Sequence, residues 1–112
     1  MIITYDPLHR HMDFRSDKEI EYLCHFILFQ ATQAEMLGMG LREVINEHYG
    51  YPTYQFKGGE LLDNGIYKYP EDPDLYPLCR VETDAETIFM YDYEMVAIRN
   101  KTTDEYYVTR VD

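Results

Sequence analysis

The chain has 112 residues, too few for separate catalytic and cofactor-binding domains, and 46% of them are hydrophobic, which excludes a disordered chain in spite of a net charge of -11. One domain spanning residues 1–112 is expected, and a chain of this size buries roughly two-thirds of its surface on folding, so neither a disulfide nor a metal is required to hold it. Twenty-one acidic residues against ten basic ones oppose direct binding to nucleic acid or to an anionic membrane.

Residues Met1 to Tyr5 are β-prone and stop at the turn signal Asp6-Pro7. Ser16 followed by Glu19 reads as a capping box, in which the Ser hydroxyl accepts from the third backbone N–H and the Glu reaches back to the N–H of the cap. A helix from Asp17 to Leu37 follows, and Gly38 and Gly40 supply its stop. Projection at about 100° per residue puts Ile20, Leu23, Cys24, Ile27, Ala31 and Ala34 on one stripe. Tyr22, Phe26, Phe29, Met36 and Leu37 widen it to an apolar arc of roughly 260°, where an ordinary surface helix needs a little over 100°. Burial on more than one side is therefore expected, with the surplus flank covered either by a second helix or by another copy of the chain.

That second helix is expected from Met39 or Leu41 to Tyr49, on the spacing of Leu41, Val44, Ile45 and His48 and the cap Gly50. Beyond Tyr51 the pattern changes to strands. Thr53 to Lys57 meets Gly58-Gly59, and Asn64-Gly65 signals a hairpin before Ile66 to Tyr69. A proline-punctuated loop, Pro70 to Pro77, precedes strands at Leu78–Glu82, Thr87–Tyr91, Met95–Arg99 and Glu105–Val111, with Asn100 to Asp104 as the last turn. Segregated helices and strands predict an α+β fold: an N-terminal strand and two helices packed on a mainly antiparallel sheet of about five or six short strands.

Few strings carry chemistry. His9-Arg-His11-Met-Asp13 resembles the H-x-H-x-D-H string of metallo-β-lactamase-type hydrolases over five residues, with Phe14 where the last His would stand. Two solvent-facing histidines in a loop account for the string; a small metal-dependent enzyme built on His9, His11 and Asp13 is the lesser, catalytic alternative. Cys24 and His25 are adjacent on the helix and so point about 100° apart, which gives Cys24 no base. Neither a phosphate loop nor any of the patterns G-x-S-x-G, H-E-x-x-H, C-x-x-C or EF-hand occurs, and no cofactor is expected. Two cysteines, a first segment without a secretory pattern and no apolar run near 20 residues predict a soluble, cytoplasmic protein with reduced thiols.

The charge is uneven. Residues 1–57 hold five basic and eight acidic side chains, while residues 58–112 hold five basic and thirteen acidic ones. In the second half acids interleave with tyrosine, a residue that offers rigid contact area with a polar tip. Glu71, Asp72, Asp74 and Tyr76, with Tyr91, Asp92, Tyr93 and Glu94, are thus the candidate contacts for a basic protein surface such as that of a nucleic-acid-handling enzyme. Strand alternation with tyrosines inward would produce the same pattern. In composition the chain resembles the small acidic inhibitors, anti-CRISPR and anti-restriction proteins among them, that phages and mobile elements direct at host nucleases. The resemblance implies a non-catalytic DNA mimic occupying a basic groove. A homodimer joined through the flank of helix 17–37 is the remaining expectation.

Overall fold

The computed structural model describes residues 3–8, 16–50, 59–71, 73–92 and 95–110. Among them, β1 (Thr4–Pro7) leads to α1 (Asp17–Leu37), α2 (Leu41–Val44) and a π-helical turn at Ile45–Tyr49. Six strands follow: β2 (Glu60–Leu61), β3 (Tyr67–Lys68), β4 (Cys79–Glu82), β5 (Glu86–Met90), β6 (Met95–Asn100) and β7 (Tyr106–Arg110). The α+β class is as the sequence predicts. The strand expected at Thr53–Lys57 lies outside the described residues.

Local chemistry bounds α1 at both ends. The Glu19 N–H donates to Ser16 Oγ at 3.3 Å, while the Glu19 carboxylate receives the Ser16 hydroxyl rather than the backbone N–H expected of it. At the other end Gly38 adopts φ 67°, and the N–H groups of Gly38 and Met39 return to the carbonyls of Glu35 and Ala34. That is the Schellman pattern, which consumes carbonyls a helix end otherwise leaves unmet. The expected second helix is α2 followed by the wider turn: the Gly50 N–H reaches back five residues to the Ile45 carbonyl, and Gly50 sits at φ 72°.

The strands form an antiparallel sheet in the order β1-β4-β5-β6-β7, beside the separate β2–β3 pair. Each connection is closed locally. Thr83 Oγ1 accepts the Glu86 N–H at 3.0 Å between β4 and β5, and Tyr91 N–H reaches the Met95 carbonyl between β5 and β6. In the β6–β7 turn Asn100 Oδ1 accepts from the N–H groups of Thr102 and Thr103, and Asp104 takes φ 62°. Pro7 sits on β1, at an edge of the sheet, where a missing donor is tolerated.

Alternation along the strands builds two cores. Val81, Ile88, Met90, Val96 and Ile98 face α1, where Ile20, Leu23, Cys24, Ile27, Ala31 and Ala34 meet them together with Leu41, Val44 and Ile45. Phe89, Tyr91, Ala97 and Val108 point the other way, into a second cluster with Leu61 and Tyr67 of the β2–β3 hairpin. The inner stripe of α1 is the one read from the sequence. The surplus flank is not covered by α2, because a helix laid on a sheet keeps one face outward. Tyr22, Phe29, Met36 and Leu37 are 71%, 64%, 75% and 51% exposed, and only Phe26 is drawn partly against the core.

Candidate functional site

The acidic half of the chain displays its carboxylates on the hairpin layer. In β2, Leu61 turns inward and Glu60 outward; in β3, Tyr67 turns inward and Lys68 outward, opposite Glu60. Leu75 runs beside β3, exchanging both backbone hydrogen bonds with Tyr67 at 2.9 Å. Leu75 packs on the inner cluster, so its neighbours Asp74 and Tyr76 fall on the outer side, both exposed. Asp63 in the hairpin turn and Glu71 in the following loop are exposed as well. The register thus sets Glu60, Lys68 and Asp74 side by side on the outer face, with Asp63, Glu71 and Tyr76 exposed in the adjoining turn and loop.

Three side chains of the main sheet pin this layer in place. Tyr91 donates its hydroxyl to the Gly65 carbonyl at 2.7 Å, Tyr106 donates to the Gly59 carbonyl at 2.9 Å, and Arg99 reaches both the Leu61 carbonyl and the Asp63 carboxylate. Burial, foremost, pushes the phenols of Tyr67 and Tyr91 up from their ordinary value, so Tyr91 stays a neutral donor throughout the working pH range. The hairpin lies close on the sheet. Gly65 holds φ 88°, and a Cβ there would sit 2.5 Å from the Phe89 ring.

These placements correct part of the sequence reading. Tyr91 is 1% exposed and Asp92 7%, so neither offers a docking surface. Tyr91 shares the face of Phe89, two residues before it, and therefore points at the hairpin. It positions the site from beneath. Glu71, Asp74 and Tyr76 are outward as expected, with Tyr76 48% exposed. Asp72, Tyr93 and Glu94 lie outside the described residues, as do His9, His11 and Asp13. The sequence reading missed Glu60 and Asp63; their signal was the Asn64-Gly65 hairpin, which brings flanking charges beside the loop that follows.

Three basic residues of this half, Arg80, Arg99 and Lys101, are engaged in bonds within the chain. Arg80 pairs with Glu82, Arg99 is bonded as above and comes within 3.7 Å of Asp104, and Lys101 donates to the Thr83 carbonyl at 2.6 Å. In the first half, Arg42 stacks over the Tyr107 ring, 3.6 Å from its centroid.

Two other places hold buried titratable groups. Glu86, between β5 and α2, accepts the Leu41 N–H at 2.8 Å and so caps α2, whose own N-cap Gly40 has no side chain to do it. Burial raises its carboxyl above the usual range, while the Leu41 hydrogen bond pulls it back in part. The cleft of about 280 Å³ above it is lined by Arg42, Glu43, Asn100, Glu105 and Tyr107, and its buried carboxylate is already committed as a cap. Cys24 and Cys79 are both buried free thiols; their mutual hydrogen bond, then burial, pushes the Cys79 thiol up, the reverse of an activated nucleophile. Among the described residues no three His, Cys, Asp or Glu side chains group as metal ligands, and no helix is long and apolar enough to cross a membrane.

No protein-family model, no curated protein and no solved structure matches this chain. The fold and the exposed surface define it as an α+β domain with helices on one face of an antiparallel sheet and an acidic hairpin on the other.

Proposed function

We propose that the chain is a non-catalytic acidic protein-binding module whose hairpin layer docks on a basic protein surface, the nucleic-acid-binding groove of a host nuclease being the target in the manner of anti-CRISPR and anti-restriction inhibitors. One observation carries the reading: Glu60, Asp63, Glu71 and Asp74 stand exposed on or beside the hairpin with exposed Tyr76, against Lys68 and the Arg99 guanidinium that pairs with Asp63. The layer is net acidic even with those two cations counted, and a surface with an excess of one sign steers association toward the opposite sign. Tyr76 supplies the large contact that charge alone lacks.

Affinity capture from the cytoplasm of the source cell tests the partner class, with a nucleic-acid-handling enzyme expected. Changing Glu71, Asp72 and Asp74 together to Lys should then slow association with that partner by about 10-fold or more and flatten its salt dependence. Thermal stability should barely move, since Glu71 and Asp74 are exposed and substitutions at such positions stay within about 0.5 kcal/mol each. A triple variant that binds the captured partner normally at every salt concentration would reduce this layer to a solubilising surface.

A further inference from the structure

We infer that the outer face of α1 is a homodimer interface, in which two copies of the chain cross antiparallel with Phe29 on the twofold axis. Tyr22, Phe29 and Met36 recur every seven residues and are each at least 64% exposed, with Leu37 beside them. Seven residues are nearly two helical turns, so the three side chains form one line roughly 21 Å long. Such a line on a globular surface marks an interaction site.

The charge pattern says what can lie on it. From Tyr22 to Ala34 the chain has no Asp, Glu, Lys or Arg, whereas the whole chain carries -11. Two copies repel almost everywhere else, and this stretch is where they can meet without carboxylates opposed. The exposed positions are self-complementary too. Glu21, Tyr22, His25, Phe29, Gln33, Met36 and Leu37 are disposed symmetrically about position 29. A twofold axis through Phe29 lays Tyr22 against Met36 of the second copy, His25 against Gln33, and Phe29 against itself, an isologous contact of aromatic, thioether and hydrogen-bonding pairs. A parallel crossing would instead stack Asp17, Glu19 and Glu21 of both first turns. The four apolar side chains present roughly 400–500 Å² per copy, more than half of the about 800 Å² per partner of a standard interface, and His25, Gln33 and the stem of Glu21 extend it.

Because α1 and the hairpin lie on opposite faces of the sheet, the dimer carries one acidic hairpin layer on each of its far sides. A target with two basic sites would then be held by both.

Sedimentation equilibrium of the intact chain should give twice the 13.4 kDa chain mass. Phe29→Glu places two carboxylates on the axis and should weaken self-association by about 30-fold or more, with circular dichroism unchanged and melting lowered only by the share that dimerisation contributes, since the side chain is exposed in the single chain. Should that variant unfold, Phe29→Ala, which removes the ring pair on the axis and adds no charge, reads the same contact. High salt should strengthen the dimer by screening the like charges of the two chains, opposite in sign to the expected salt response of the basic partner. The Glu71, Asp72 and Asp74 triple Lys variant should remain dimeric, so that loss of the hairpin reading leaves this one standing. A wild-type chain that is monomeric at about 1 mM, or a dimer indifferent to Phe29→Glu and Phe29→Ala alike, overturns it.

Discussion

The two faces of the main sheet are covered by different means. On one, α1 satisfies its own backbone hydrogen bonds and needs only an apolar contact, which Ile20, Leu23, Ile27, Ala31 and Ala34 supply against Val81, Ile88 and Ile98. On the other, the hairpin has strands of two residues each and leaves carbonyls to be met from below. Tyr91, Tyr106 and Arg99 meet them at Gly65, Gly59 and Leu61. Tyrosine abundance thus has an internal purpose: two of its phenols pin the layer that displays the acids. A self-satisfied element can be held by shape alone, and a short strand pair needs polar anchors whose tips reach through an apolar core.

The largest test of that difference is Ile27→Ala. Ile27 is fully buried under the helix, and its loss should cost about 2–5 kcal/mol, read as a fall in the denaturant midpoint by every spectroscopic probe at once. A loss below about 1 kcal/mol would mean that α1 does not hold the sheet through this face.

Tyr91→Phe should act more weakly and more locally. The ring still fills the cluster, but the Gly65 carbonyl loses its donor, at a cost of about 1–2 kcal/mol. Hydrogen exchange should quicken at the amides of Leu62, Gly65 and Tyr67, which close the hairpin, while those in the middle of α1 keep their protection. Equal acceleration in both would show that the layers open as one unit.

The smallest effect is expected at Glu86, in the α1-side layer. Its folded-state value is raised by burial above the ordinary 4.5, so its favourable contribution is complete below that pH and is lost as pH rises through the raised value. Glu86→Gln keeps an acceptor for the Leu41 N–H without a buried charge. Stability should then no longer fall with rising pH in that window, and at neutral pH the variant should match or exceed the wild type by less than about 1 kcal/mol. Glu86→Ala, which strips the cap, should instead cost about 0.5–2 kcal/mol at any pH. A Gln variant with the wild-type pH profile would remove the buried charge as the cause.

Much of this was legible residue by residue. Ser16 with Glu19, Gly38, Gly50 and Asn100 to Asp104 act on backbone groups within a few positions of themselves, so the limits of α1 and the last turn follow from local sequence. Strand parity is equally local, and it separates Ile88 from Phe89. The exposed acids Glu71 and Asp74 needed only the proline-rich loop around them. Reading Tyr91 as a surface contact failed because an acid-tyrosine alternation looks the same whether the phenol points at solvent or at a second layer.

The sequence by itself determined the class of fold, the ends of α1, its inner stripe and the acidic bias of the second half, because each rests on periodicity or on hydrogen bonds closed within one turn. Only the tertiary structure decided what the far-apart residues do: Glu86 capping a helix that begins 45 residues earlier, Tyr91 reaching back 26 residues to Gly65, Tyr106 reaching 47 to Gly59. It also decided that Tyr22, Phe29 and Met36 stay outside. A broad apolar arc is compatible with burial on any of its sides, and the choice belongs to the layers: a helix lying on one face of a sheet buries one stripe, and the rest of the arc remains for whatever meets the surface.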